Sequence, residues 1–147
     1  MRILIISQYF YPENFRINDL CKGLEEQGHK VSVLTAKPNY PNGIFFEGYS
    51  FLNKSLDNYN GIKIYRSPII PRGKGSGIRL FINYVSFVIF GIIRLLSINE
   101  KFDKVLVYAP SPITVGYIGA FAAFKFKNSI LLINTNLILL SNDCFCE

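Results

Sequence analysis

Apolar positions along this chain alternate between short continuous runs and longer periodic stretches. Arg2-Ile3-Leu4-Ile5-Ile6-Ser7 is a short apolar run, the pattern of a strand covered on both faces. The loop Gln8 to Arg16 follows, then a helical pattern from Ile17 to Gln27 that stops at Gly28-His29. Lys30 to Thr35 reads as a second strand. Residues 36–59, with Pro38, Pro41, Gly43 and Gly48, carry no periodic signal and are predicted as one long irregular loop, a length that is usually functional. Asn60-Gly61 leads into Ile62-Lys63-Ile64-Tyr65-Arg66, an alternating strand signal. Ser67 to Gly77 is a Pro/Gly-rich basic loop, predicted to be mobile, and 78–98 is a strongly apolar helix. Phe102 to Tyr108 is the next strand, with Asp103 at its start, and Ala109-Pro110-Ser111-Pro112 is the loop after it. Ile113 to Phe126 is a helix whose Gly116, Gly119, Ala120, Ala122 and Ala123 permit close packing on a sheet, and Ser129 to Ile133 suits one more strand.

Strands alternating with helices predict an α/β fold: a Rossmann-like parallel sheet with helices on both faces. Such sheets bind ligands at the C-terminal ends of their strands. The loops 8–16, 37–43 and 109–112 therefore converge on one crevice, and His29 falls at the opposite end of the sheet.

A length of 147 residues predicts one domain, and a half-apolar composition with 15% aromatics excludes disorder. The net charge of +6 is concentrated. Between Asp57 and Glu100 there is no acid, while Lys63, Arg66, Arg72, Lys74, Arg79 and Arg94 all lie there; the rest of the chain balances. A greasy helix interrupts these charges, which argues against a nucleic-acid face. Only 14 residues separate Arg79 from Arg94, fewer than the roughly 20 that a spanning helix needs. Two readings of 78–98 stay open: a core helix, or a helix lying on an anionic membrane surface.

Cys21, Cys144 and Cys146 suggest neither a disulfide framework nor a metal site, and no signal peptide is predicted. The expected location is cytoplasmic, and peripheral at the inner face of the membrane on the second reading of 78–98. One histidine and no Asp-x-Asp pattern leave no expected metal ligand set, and Arg72-Gly73-Lys74-Gly75-Ser76-Gly77 lacks P-loop spacing. No Gly-x-Gly-x-x-Gly follows the first strand, so a dinucleotide-binding module is disfavoured. Among the crevice loops, Arg16 is the strongest candidate charge. A cation at a helix start opposes the dipole and either meets an anion or pairs with Glu13 or Asp19. Tyr9, Phe10, Tyr11 and Tyr40 suit the flat faces of sugar rings, or loop packing. Asn14, Asn18 and Asn39 suit sugar hydroxyls or turn roles. Glu13 is the only acid in these loops and the only local general-base candidate.

Gln8-Tyr9-Phe10-Tyr11-Pro12-Glu13, Phe15-Arg16-Ile17-Asn18-Asp19-Leu20, Gly28-His29-Lys30-Val31-Ser32-Val33-Leu34-Thr35 and Pro38-Asn39-Tyr40-Pro41-Asn42-Gly43 together resemble the N-terminal domain of family 4 glycosyltransferases. The pairing of the first and last strings is the specific part. It is similar to the subgroup of fucosamine transferases of O-antigen assembly and related enzymes of colanic acid and capsule synthesis. The resemblance covers residues 1 to about 127. It implies the N-terminal half of a two-domain GT-B fold, which mainly binds acceptor while the other domain binds the nucleotide-sugar. It further implies transfer of a sugar to a lipid-linked saccharide acceptor, with no cofactor and no metal at the active site. The candidate substrate-binding residues are Gln8, Tyr9, Phe10, Tyr11, Pro12, Arg16, Asn39, Tyr40 and Ser111, and no catalytic residue is assigned.

The family continues with a strand, an Asp-Leu-Trp-Pro-Glu-type segment and a donor-binding domain. Here residues 128–147 are rich in Asn, Ile and Leu, with two cysteines in the last four positions. We read this tail as atypical, the product of a shifted frame near codon 127, with an aggregation-prone run at Leu137 to Leu140. The expectation is an acceptor-side half, inactive alone, without its donor domain. The alternative is a non-catalytic acceptor-binding subunit of a split glycosyltransferase.

Overall fold

The computed structural model describes residues 1–110, 113–127, 130–134 and 137–139. Its elements in chain order are β1 (Arg2–Ser7), α1 (Arg16–Glu26), β2 (Lys30–Ala36), β3 (Leu56–Tyr59), β4 (Ile62–Ser67), α2 (Gly77–Leu96), β5 (Lys104–Tyr108), α3 (Val115–Phe126), β6 (Ile130–Asn134) and β7 (Leu137–Leu139). The described strands form one sheet in the order β3-β4-β2-β1-β5-β6-β7. The five inner strands are mutually parallel, and β3 and β7 close the two edges antiparallel. This is the Rossmann-like α/β architecture that the strand–helix alternation predicts.

The continuous apolar runs of β1 and β2 are buried almost end to end because both faces of the sheet are covered. Alternate residues serve two cores. Leu4, Ile6, Leu34, Ala36, Tyr65, Val105 and Val107 pack with Phe87 and Leu95 of α2 and Ile118 and Ala122 of α3. Ile3, Ile5, Val31, Val33, Ile62 and Ile64 pack with Ile17 and Cys21 of α1. The small residues of α3 act as expected: a Cβ at Gly119 would meet Val107 Cγ2 at 2.3 Å, and one at Gly91 of α2 would meet Ile118 Cδ1 at 2.6 Å. These absences of side chain set how closely α3 lies on β5 and on α2.

One boundary differs from the sequence reading. Residues 56–59 are a strand, not the end of a loop: Leu56 to Tyr59 pair antiparallel with Ile62 to Tyr65. Asn60 and Gly61, at φ 49° and 90°, make the two-residue hairpin turn that their Asn-Gly type favours. The expected strand at 129–133 is present as β6, and part of the expected aggregation-prone run forms β7 against it. Leu140 and the rest of the tail lie outside the described residues.

Helix α2 has 20 residues and is long and apolar enough by composition to cross a membrane. In the fold it lies along the sheet on one stripe, Asn83, Ser86, Phe87, Gly91 and Leu95. Its opposite side exposes Ile78, Phe81, Ile82, Ile89 and Ile93. Lys125 of α3 secures its C-terminal end: Nζ donates to the carbonyls of Leu95 (2.7 Å), Leu96 (3.0 Å) and Ile98 (2.7 Å).

Candidate functional site

Each helix of a parallel sheet returns antiparallel to the strands, so the first turns of α1, α2 and α3 all lie at the C-terminal ends of β1, β4 and β5. None of the three N-cap residues, Phe15, Ser76 and Thr114, donates a capping side chain. Three helix starts without side-chain caps therefore face the crevice side, where the helix dipoles favour negative charge, although Asn18 of α1 and Gly116 and Tyr117 of α3 already donate their N–H groups to backbone carbonyls. No acid occupies the first turn of α2 or α3; α1 has Asp19 there. Arg16 stands exposed at the first position of α1 and has no ion-pair or hydrogen-bond partner among the described residues. The pairing with Glu13 or Asp19 that the sequence left open is not made.

Glu13 does something else. It is buried, and its Oε1 accepts hydrogen bonds from the backbone N–H of Asn39 (2.9 Å) and Tyr40 (2.7 Å). The first motif loop is thereby fastened to the second. Burial raises the Glu13 pKa from 4.5 to about 7, even though the backbone N–H groups of Tyr40, Asn39 and Phe10 and the charge of Arg66 pull it down. A buried carboxylate that accepts two backbone N–H groups from a distant segment acts as a clamp between the two loops. The sequence singled out Glu13 as the one acid in the loops, and its role as a clamp was not legible because its partners are backbone amides 26 and 27 residues away.

The clamp brings three aromatic rings together. Tyr9 stacks on Phe15 with centroids 5.0 Å apart, and Tyr40 tilts against both, at 5.8 Å from Tyr9 and 5.3 Å from Phe15. Tyr9 is buried, while Tyr40 is 40% exposed and forms the outer surface of the cluster. Arg72 places its guanidinium 5.3 Å from the Tyr40 ring centre, and its positive charge acts on the Tyr9 phenol. Burial nonetheless pushes the Tyr9 phenol up to about 12, so it remains a hydroxyl donor at any ordinary pH.

The basic loop that holds Arg72 is docked, contrary to the mobile loop expected. Gly73 N–H donates to the Gly43 carbonyl (2.9 Å), and a Cβ on Gly43 would stand 1.8 Å from the Gly73 oxygen. With Gly43 at φ 72°, only glycine fits both the turn and the backbone crossing. Arg79 packs alongside Gly73. Arg72 thus stands over Tyr40, with Arg79 behind it against Gly73, and Arg16 follows Phe15 of the cluster directly in the chain.

The remaining candidates divide. Gln8, buried after β1, donates from Nε2 to Asn83 Oδ1 of α2 (2.8 Å), and its Oε1 has no partner among the described residues. Asn39 is buried, with Nδ2 on the Lys37 carbonyl (3.1 Å) and Oδ1 likewise unpartnered. Phe10 is fully buried under α1, edge-on to Tyr59, so it supports the loop from the core and is corrected from a ligand-facing to a packing residue. Tyr11 is exposed but stacks on Tyr59 at 4.0 Å, on the β3 side and apart from the Tyr40 cluster. Pro12 is half-buried behind a cis peptide, as is the Tyr40-Pro41 bond. Asn14 is exposed; Asn18 closes the first loop by accepting from the Tyr11 N–H (3.1 Å) and donating to the Glu13 carbonyl (2.8 Å). Ser111 lies outside the described residues.

Arg66, counted in the sequence only as charge, is a second fastening point. It is fully buried. Its guanidinium donates to the carbonyls of Tyr11 and Ala36 and pairs with Asp57 (3.2 Å), which also accepts from the Tyr49 hydroxyl (2.6 Å). Beside it, Lys37 is 1% exposed, and its Nζ donates to the Ser50 carbonyl (3.0 Å) and Asn53 Oδ1 (3.5 Å). Among the described residues no group of three or more His, Cys, Asp or Glu is placed to hold a metal ion.

No protein-family model matches the sequence, and no curated protein matches it. Solved structures do share its fold. Sucrose-phosphate synthase from Thermosynechococcus elongatus is 17% identical with a TM-score of 0.53, and the catalytic domain of starch synthase IV from Arabidopsis thaliana, bound to ADP and acarbose, is 15% identical with a TM-score of 0.55. Each match covers 89% of this chain but 32% of the synthase chain. The C-terminal domain of a hydrogenase from Pyrococcus furiosus is similar at 16% identity and TM-score 0.54, with 89% of both chains covered. These likenesses establish the Rossmann-like α/β fold. That a hydrogenase domain shares it with two carbohydrate synthases shows why function has to be argued from the site.

Proposed function

We propose that this chain is the acceptor-binding half of a GT-B glycosyltransferase of bacterial surface polysaccharide synthesis, recognising a lipid-linked saccharide diphosphate at the inner face of the membrane. The observation that carries this reading is the exposed Tyr40 ring, backed by Tyr9 and Phe15 and crossed by Arg72, at the ligand-binding ends of a parallel sheet. An aromatic face suits a sugar ring or the first isoprene units of a lipid. Arg72 over the ring, the exposed Arg16 at the start of α1 and helix starts without side-chain caps suit a diphosphate. The unpartnered acceptors of Gln8 and Asn39 suit sugar hydroxyl donors. The fold it shares with two carbohydrate synthases, each about three times its length, agrees with one half of a two-domain transferase.

Transfer from a nucleotide-sugar is assigned to a second, donor-binding domain, which would stabilise the leaving diphosphate across the cleft. This domain needs no cofactor of its own in that scheme. The apolar outer side of α2, flanked by Arg79 and Arg94, is the side we set against an anionic lipid surface. The test is calorimetric binding of a polyisoprenyl diphosphate sugar in detergent micelles to the full chain. Arg72→Met and Tyr40→Ala are each expected to weaken binding at least tenfold, the size of one lost charge-assisted contact of about 1.5 kcal/mol or more. Heat no greater than with micelles alone, or affinity in both variants equal to that of the parent chain, would sink the proposal.

A further inference from the structure

Lys37 and Arg94 stand out once the candidate crevice is set aside. Lysine is almost never fully buried without a counter-charge. Lys37 is 1% exposed, and no carboxylate pairs with it among the described residues. Its two acceptors, the Ser50 carbonyl and Asn53 Oδ1, are neutral. The cations nearest to it are Arg66 and Arg94, both of which push its pKa down further after burial has done so, to about 8. Burial also lowers the pKa of Arg94. Asp57, the acid paired with Arg66, is already engaged by Arg66 and Tyr49.

Lys37, Arg66 and Arg94 thus all reach into the segment 50–57, through Ser50, Asn53, Ser55 and Asp57, and the carboxylate of Asp57 is taken by Arg66. The donor count shows the same surplus. The Nε atoms of Arg66 and Arg94 are buried and have no hydrogen-bond partner, and Arg94 spends its other nitrogens on the Ser55 carbonyl (2.6 Å) and Ser97 Oγ (3.3 Å). Unmet donors and unbalanced charge of the same sign in one place are what an anion resolves. The cover is thin: Leu52, Asn53, Lys54 and Ser55 are exposed, and Phe51 anchors the segment by an edge contact with Phe90 of α2.

We infer that Lys37 and Arg94, backed by Arg66, form a binding site for a phosphate-type oxyanion beneath residues 50–55. An ammonium and two guanidinium groups supply charge-assisted donors to three oxygens, and the anion would take the place of Ser50 and Asn53 on the lysine. The site is separate from the Tyr40 cluster, which is built by Tyr9, Phe15 and Arg72, and it does not depend on the glycosyltransferase reading. The shared chemistry is the phosphoryl group, either free in solution or carried on a larger molecule.

The test uses the full chain at fixed ionic strength, with chloride replaced stepwise by inorganic phosphate and, separately, by glycerol 1-phosphate. Phosphate is expected to raise Tm by about 4 °C at ten times its Kd and to shift the amide resonances of residues 50–55. Lys37→Met is expected to fold, to be more stable than the parent without phosphate because a buried cation is gone, and to lose both responses. A glycerol 1-phosphate response equal to that of phosphate assigns the site to a carried phosphoryl group; a response to phosphate alone assigns it to the free ion. No response relative to chloride, or an undiminished response in Lys37→Met, overturns the inference.

Discussion

Replacing Glu13 by Gln isolates the clamp between the two motif loops. Folding moves the Glu13 pKa from 4.5 to about 7, chiefly by burial. Between those values the folded chain holds a proton that the unfolded chain has released. This contribution to stability is therefore fully present below pH 4.5 and is lost as pH rises through 7. Integrated between about pH 5 and pH 8.5, the loss from this one group is about 2.5 kcal/mol. Gln keeps a carbonyl oxygen where Oε1 receives the Asn39 and Tyr40 amides, and it does not ionise. Urea unfolding of the parent and of Glu13→Gln across that range should give two curves that converge at low pH. The gap should widen by about 2.5 kcal/mol between about pH 5 and pH 8.5, the parent falling below the variant. Taking the difference removes every other titrating group, including Lys37, whose lowered pKa changes stability in the opposite direction as pH rises. In parallel, the amide resonances of Asn39 and Tyr40 should titrate near pH 7 in the parent and stay flat in the variant. Parallel stability curves with flat amides in both proteins would refute the clamp as a buried titrating group.

Gly43→Ala should cost about 2–4 kcal/mol in denaturant unfolding, since its φ of 72° disfavours a side chain and its Cβ would collide with the Gly73 oxygen. Arg66→Leu leaves Asp57 without its guanidinium and frees the Tyr11 and Ala36 carbonyls, so a loss of about 3 kcal/mol is expected in the same assay. Lys125→Met removes three carbonyl contacts at the end of α2 and should cost about 1–2 kcal/mol, with faster amide exchange at Ser97 and Ile98. Phe81→Ser with Ile82→Ser on the outer side of α2 should leave unfolding within about 0.5 kcal/mol of the parent and abolish co-sedimentation with anionic vesicles; retained sedimentation would remove α2 from the membrane proposal.

The parts of this fold that sequence reveals are those set by period and by local backbone chemistry. The buried runs at Ile3 to Ile6 and Val31 to Leu34, the helix stop at Gly28 and the small residues of α3 each report on one element, and each is found where its pattern places it. The parts that escaped are contacts between segments distant along the chain. Leu56 to Tyr59 alternate between exposed and half-buried at a sheet edge, with two polar residues among four, so pairing with β4 and not hydrophobicity makes them a strand. Tyr11 and Tyr40 look interchangeable as exposed aromatics. What separates them is that Glu13 draws Tyr40 to Tyr9, while Tyr59 of the unforeseen β3 captures Tyr11. Arg72 shows the same logic from the other side: its place over Tyr40 depends on Gly43 and Gly73 lacking side chains 30 residues apart, a relation that no local pattern encodes. The candidate site is thus assembled by the backbone-directed groups Glu13, Arg66 and Gly43. Substitutions at these three should disturb ligand binding at Tyr40 and Arg72 even though none of the three need touch the ligand.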